Sequence, residues 1–184
     1  MSFDVADFSY SRSRAAPAVT QSRHFVIRVR GQIVGLPVEH VKTVFYLDNL
    51  TPVPLAPREV AGLTNLRGRI VTALYLDRCL WLDEAIDGSN GLAVGIEHDG
   101  EEYALLVEAT EDVVATSETD LIACPAHIDP RLAEMVAGCY RLDDGFLSVL
   151  DVEALLRRVA KLSEAPRRRG GRQGNSNYSN TGAS

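Results

Sequence analysis

Four histidines (His24, His40, His98, His127) and three cysteines (Cys79, Cys124, Cys139) are the side chains best equipped for catalysis or metal binding in this sequence. Their closest gathering is Cys124-Pro125-Ala126-His127-Ile128-Asp129. That stretch could offer a thiolate, an imidazole and a carboxylate, but it lacks a second such element to complete a tetrahedral set. The other histidines have no partner at ligand spacing and read as loop or surface residues. Cys79 lies among Leu76, Leu80 and Trp81 and reads as a small buried hydrophobe. The cysteines are too few and too scattered for a disulfide framework or a CxxC pair. No GxSxG elbow, Walker loop, GxGxxG or paired-carboxylate arrangement stands out. The reading is therefore of a protein with no catalytic residues, no metal and no cofactor.

The sharpest polar feature is of another kind. It lies in the stretch from Thr51 to Val71, where Pro52, Pro54 and Pro57 precede Gly62-Leu63-Thr64-Asn65-Leu66-Arg67-Gly68. A proline-stiffened connector, a short helix begun by Pro57 and a hairpin turned at Arg67-Gly68 would account for the prolines and glycines. They do not require Asn65 or Arg67. A guanidinium is a planar fork of five donors, suited to a carboxylate at an interface.

The elements that must position these residues are short strands punctuated by glycine turns. Phe25, Ile27 and Val29 alternate with arginines before Arg30-Gly31 and a strand over Ile33 to Pro37. Asn65 to Gly68 leads into Ile70 to Leu74, Leu92 to His98 meets Glu101 to Val107 across Asp99-Gly100, and Arg141-Leu142 meets Phe146 to Leu150 across Asp144-Gly145. Four hairpins make the chain mainly β. One long helix is predicted after Asp151, with Val152, Leu155, Leu156 and Val159 on one face and Arg157, Arg158 and Lys161 towards its end. Shorter helical turns are expected after Pro57 and from Pro130 to Met135.

The hairpins repeat. Aligning Gly31 with Gly100 lays Val38-Glu39 over Val107-Glu108 and Val44 over Val113; aligning Gly68 with Gly145 brings Leu74 to Leu150 and Leu80 to Leu156. Two copies of a five-strand unit predict two barrel-like lobes, each too small to be stable alone and sharing a core with its twin. Small barrels fill their interiors with side chains and bind through faces, edges and the groove between lobes, which points to protein recognition.

Composition agrees. The chain has 184 residues with 25 acidic and 19 basic side chains, a net charge of −6. The last twenty residues carry four arginines (Arg167, Arg168, Arg169, Arg172) and no acid, so the preceding body is far more acidic than the total suggests. An acidic body argues against nucleic-acid binding, which needs a basic face. No apolar run spans a bilayer, and the N-terminus lacks a secretory apolar core. The expected organisation is a flexible segment over 1–22, a folded domain over 23–163 and a disordered tail over 164–184, in a cytoplasmic, soluble protein without direct membrane insertion.

The Pro-x-x-Pro, Gly-x-x-Asn-Leu-Arg-Gly and Ile-Val pattern running from Pro54 to Val71 resembles the hallmark stretch of the CheW family of bacterial chemotaxis coupling proteins. The likeness continues through Leu105-Leu106-Val107-Glu108, Gly138 and Leu142 to Leu155-Leu156. The resemblance implies two intertwined five-stranded SH3-like barrels with a C-terminal helix, related by an internal repeat. It also implies a non-enzymatic adaptor between the cytoplasmic tip of methyl-accepting chemotaxis receptors and the regulatory domain of the histidine kinase CheA, recruited through these partners to membrane receptor arrays. Carried over by position, Val38, Val41, Asn65 and Arg67, with Leu92 and Ala93 opposite, would line the receptor groove, and Gly62 would lie close to the kinase contact. Two positions depart from the family. Thr43 stands where many members have a glutamate pairing with the equivalent of Arg67, leaving Arg67 to a partner, Glu39 or Asp48; and Thr72 to Asp77 replaces a frequent Pro-x-x-Asp-Leu-Arg. Both suggest a divergent copy, serving a second chemosensory pathway such as pili or development. A small-ligand or enzymatic barrel would need polar groups such as Cys124, His127 and Asp129 converging on one cavity.

Overall fold

A computed structural model of the chain describes residues 21–82, 91–126, 128–143 and 145–164. The expected flexible N-terminus (up to residue 20), the arginine-bearing tail beyond residue 164 and His127 lie outside the described residues. The first strand includes Gln21 and Ser22, and the last helix runs to Glu164.

Among the described residues, eleven strands form two sheets. In chain order they are β1 (Gln21–Val29), β2 (Gln32–Pro37), β3 (Val41–Tyr46), β4 (Val60–Leu66), β5 (Arg69–Tyr75), β6 (Leu92–His98), β7 (Glu101–Leu106), β8 (Ala109–Ser117), β9 (Leu121–Ile122), β10 (Val136–Leu142) and β11 (Gly145–Leu150). The described residues also form three α-helices, α1 (Leu76–Cys79), α2 (Pro130–Ala133) and α3 (Val152–Glu164). One sheet runs β8-β1-β2-β11-β10-β9 and the other β3-β6-β7-β5-β4.

All four expected hairpins form, closed by the pairs Val29↔Gln32, Leu66↔Arg69, His98↔Glu101 and Leu142↔Gly145. Three of them turn on two residues at positive φ: Arg30-Gly31 at 54° and 72°, Arg67-Gly68 at 53° and 86°, and Asp99-Gly100 at 52° and 81°. That is the type I′ geometry whose twist matches the flanking strands. The segment after Pro57 is a turn rather than a helix. Its backbone carbonyls are spent on β5 and α1, with the Glu59 carbonyl accepting from the Tyr75 amide at 2.8 Å and the Arg58 carbonyl from Arg78 Nη1 at 2.9 Å.

The repeat is exact in topology. β1-β2, β3, β4-β5 of the first half correspond to β6-β7, β8, β10-β11 of the second, and β9 is an extra two-residue edge strand. The halves are interlaced: β3 pairs with β6, and β8 pairs with β1, so each third strand joins the other half's sheet. Parallel pairings β5·β7 and β11·β2 join the halves a second time. Each small barrel has its own interior, around Val71, Ala93 and Leu106 in one and Val26, Leu147 and Val149 in the other. The largest core lies between the lobes. It joins Ile27 and Leu36 of one sheet to Val94 and Leu105 of the other and is covered by Leu155 and Leu156 of α3. Asp151 caps α3, its carboxylate accepting from the Ala154 amide at 2.9 Å.

Candidate functional site

The turn carrying Arg67 is built from inside. Asn65 ends in a side-chain bond to its own hairpin, Oδ1 accepting from the Gly68 amide at 2.8 Å. Its part in the site is thus to fix the Arg67 turn, in the manner of an Asx turn. Arg67 then projects from the β4-β5 end towards β3, at the opposite edge of the five-stranded sheet, and Nη2 donates to Thr43 Oγ1 at 3.2 Å. This contact spans the seam where the barrel closes. The partner of Arg67 is thus a neutral hydroxyl, and among the described residues Arg67 forms no ion pair with Glu39, Asp48 or any other carboxylate. An exposed guanidinium with one bonded donor keeps the rest of its fork for a ligand.

Gly95 on β6 makes the seam possible. It stands opposite Thr43, and a Cβ there would lie 2.8 Å from Thr43 Cγ2 and 3.3 Å from Leu66 Cδ2. The sequence reading passed over this residue, although a glycine inside an otherwise apolar strand is itself a sign of close approach.

Val38 lies in the short 3-10 turn Val38–His40 leading into β3, and Val41 begins that strand; both are half-buried, and Val41 packs on the margin of the inter-lobe core. Val38, Val41, Thr43 and Arg67 thus share the region of one edge strand. Leu92 and Ala93 do not join them as surface groups. They are 7% and 0% exposed and register with Tyr46 and Phe45, at the other end of β3 from Val41. β6 is an inner strand covered on both faces, so Leu92 enters the inter-lobe core and Ala93 the barrel interior. The space between the lobes is filled, and a partner can meet only its margins.

Gly62 is buried too. At φ 154°, its missing Cβ would fall 2.5 Å from the Thr51 carbonyl oxygen, and Thr51 pairs with Leu63 through two 2.8 Å backbone bonds. The glycine seats the proline-rich connector against β4 while Leu63, Val53 and the 78%-exposed Leu55 face outwards. Behind it sits a pair that sequence spacing could not show, since ninety-nine positions separate its members. Arg158 Nη2 donates to the buried Glu59 at 3.2 Å, and its guanidinium lies 3.9 Å over the Trp81 ring.

Cys124 and Asp129 are each engaged in other contacts, and His127 lies outside the described residues. Cys124 is joined to Cys139 in a disulfide, a pairing the sequence reading did not make. Asp129 caps α2 through the Arg131 amide at 2.8 Å and pairs with the Arg131 guanidinium, which together hold its carboxyl down at about 2. Cys79, buried in the inter-lobe core as expected, has its thiol pushed up to about 12 by that burial.

Comparison with known proteins agrees with this geometry. The family model described as "CheW-like domain" matches residues 23–160. "Chemotaxis protein CheW" of Treponema pallidum (strain Nichols) is 27% identical over 128 residues, covering 67% of this chain and 75% of that protein. "Protein FrzA" of Myxococcus xanthus is 36% identical over 86 residues, covering 46% and 54%. The crystal structure of the scaffolding protein TtCheW from Thermoanaerobacter tengcongensis superposes with a TM-score of 0.65 at 20% identity, over 74% of this chain and 92% of that one, and shows the same fold. With two interlaced SH3-like barrels and a family match over most of its length, the chain belongs to the CheW-like domain family.

Proposed function

We propose that this chain is a non-enzymatic adaptor that couples methyl-accepting chemoreceptors to the regulatory domain of the histidine kinase CheA. The observation that carries the reading is Arg67: a turn braced by Asn65 holds an exposed guanidinium beside the edge strand that begins at Val41. A receptor helix laid along the margin of the inter-lobe core would gain affinity from Val38 and Val41, and a charge-assisted bond from Arg67 would fix its register. Leu92 and Ala93 would support β3 from beneath. The kinase would meet the chain near Gly62, through the exposed Leu63 and the connector that Gly62 seats.

Co-purification from the native cell, with partners identified, tests the reading. Recovery of receptor and kinase is expected; recovery of neither would sink it. Arg67→Ala should reduce receptor recovery while moving stability by no more than about 0.5 kcal/mol, since the bond lost is exposed. Leu63→Asp is the corresponding variant for the kinase. A second reading, favoured by the higher identity with Protein FrzA over a shorter stretch, keeps the adaptor and changes the pathway to pili or development. The receptors recovered in the same experiment separate the two.

A further inference from the structure

The bridge between Cys124 and Cys139 has no part in the adaptor reading, and its surroundings give it an asymmetric chemistry. Cys139, in the middle of β10, is fully buried, its sulfur 3.8 Å from Ser148 Oγ on β11. Cys124 is exposed, in the segment just after β9. β9 is only two residues long and holds to β10 by the pairs Cys139↔Ile122 and Tyr140↔Leu121. So short an edge strand has little of its own to keep it in place, and the disulfide is the covalent part of its attachment. The loop it closes, with a sequence separation of 15, also carries Ile128 and α2. Ile128 and Leu132 form one wall of a cavity of about 330 Å³ whose other walls include Ile33 of β2 and Leu82. Leu132 and Met135 carry the same loop into the inter-lobe core.

We propose that Cys124–Cys139 is a reversible thiol-exchange site that fastens and releases the β9–α2 loop. The reductant is a dithiol. One of its thiolates attacks the sulfur of the exposed Cys124, the sulfur–sulfur bond breaks, and its electron pair leaves on Cys139, beside the Ser148 hydroxyl, where it takes up a proton. The second thiol of the reductant then attacks the mixed disulfide, forming the reductant's own disulfide and releasing Cys124 as a thiol. Two electrons and two protons pass from the reductant to the protein. Access decides which sulfur is attacked, because a buried sulfur cannot meet an incoming thiolate in line. Release frees β9 from its covalent tie and loosens one wall of the cavity, while the five-stranded sheet bearing Arg67 has no part in the loop.

Alkylation of the full folded chain with iodoacetamide, read by mass spectrometry with and without dithiothreitol, tests the proposal. Without reductant, neither Cys124 nor Cys139 should be labelled. With dithiothreitol and no denaturant, Cys124 should be labelled, while Cys79 in the inter-lobe core stays unlabelled. Labelling of Cys124 in the untreated chain, or a bond that yields only in denaturant, would overturn it. Amide hydrogen exchange gives a second readout. Reduction should speed exchange over residues 121–131 by about tenfold and leave β3 and β6 unchanged. Cys124→Ser should reproduce that pattern in the unreduced chain. Unchanged exchange over 121–131 would reject the fastening role even if the bond proves reducible.

Discussion

At the scale of single residues, what a side chain can do here follows from which of the three cores it faces. Arg67 faces none and is exposed, with Nη2 donating to Thr43 Oγ1. His24 faces the interior of the six-stranded barrel, buried against Tyr140, with Nε2 bonded to Thr116 Oγ1 at 2.9 Å and Nδ1 without a partner among the described residues. Burial holds its pKa below the ordinary 6.5, the charge of Glu39 opposing but not cancelling the effect. The folded chain therefore binds fewer protons at this site than the unfolded chain does. Its stabilising contribution is fully present above about pH 6.5 and is lost as pH falls through the lowered folded value, with a slope of at most about 1.4 kcal/mol per pH unit. Urea unfolding at a series of pH values should show this loss in the native chain. His24→Gln should flatten the acid side of the curve below about pH 6.5, and an unaltered slope would show that other groups govern it.

At the scale of elements, local chemistry decided almost everything that the sequence could show. Arg30-Gly31, Arg67-Gly68 and Asp99-Gly100 turn where they do because glycine accepts the second positive φ of a type I′ turn at no steric cost. The α3 helix starts where Asp151 can accept from the Ala154 amide, and its stripe of Val152, Leu155, Leu156 and Val159 is buried in full. Asp151→Ala should cost about 1 kcal/mol, seen as a lower melting temperature with the same unfolding cooperativity. A helix rooted only by its packing would show no loss. What escaped the sequence were contacts between elements far apart in the chain. Glu59 with Arg158, Thr43 with Arg67 across Gly95, and Cys124 with Cys139 have no periodicity to announce them. The expected helix after Pro57 failed for the same reason, since partners on β5 and α1 claim its backbone carbonyls. The turn that holds Asn65 and Arg67 was legible from its residues. The burial of Leu92 and Ala93 was not, because only the sheet order shows that β6 is an inner strand.

At the scale of the whole molecule, the internal repeat was visible as matched glycines, but the interlacing of its halves was not, because pairing partners cannot be read from hairpin patterns. The consequence is energetic. The sheet containing β1 and β2 takes β8, β9, β10 and β11 from the second half, and the sheet containing β6 and β7 takes β3, β4 and β5 from the first. Each half therefore holds no complete barrel and exposes its share of the inter-lobe core, from Ile27 and Leu74 on one side and Val94 and Leu155 on the other. An isolated unit of that size buries too little surface to offset its ordering entropy. Expressed apart, residues 1–86 and 87–184 should each lack a cooperative unfolding transition. Mixed, they should assemble one to one and recover the far-ultraviolet circular dichroism of the intact chain, because every inter-half strand pairing remains available. Two halves that each folded alone would mean that the lobes, rather than the interlaced whole, are the units of stability. The margin beside Arg67 would then be free to change shape when a partner binds, instead of being held by the core beneath it.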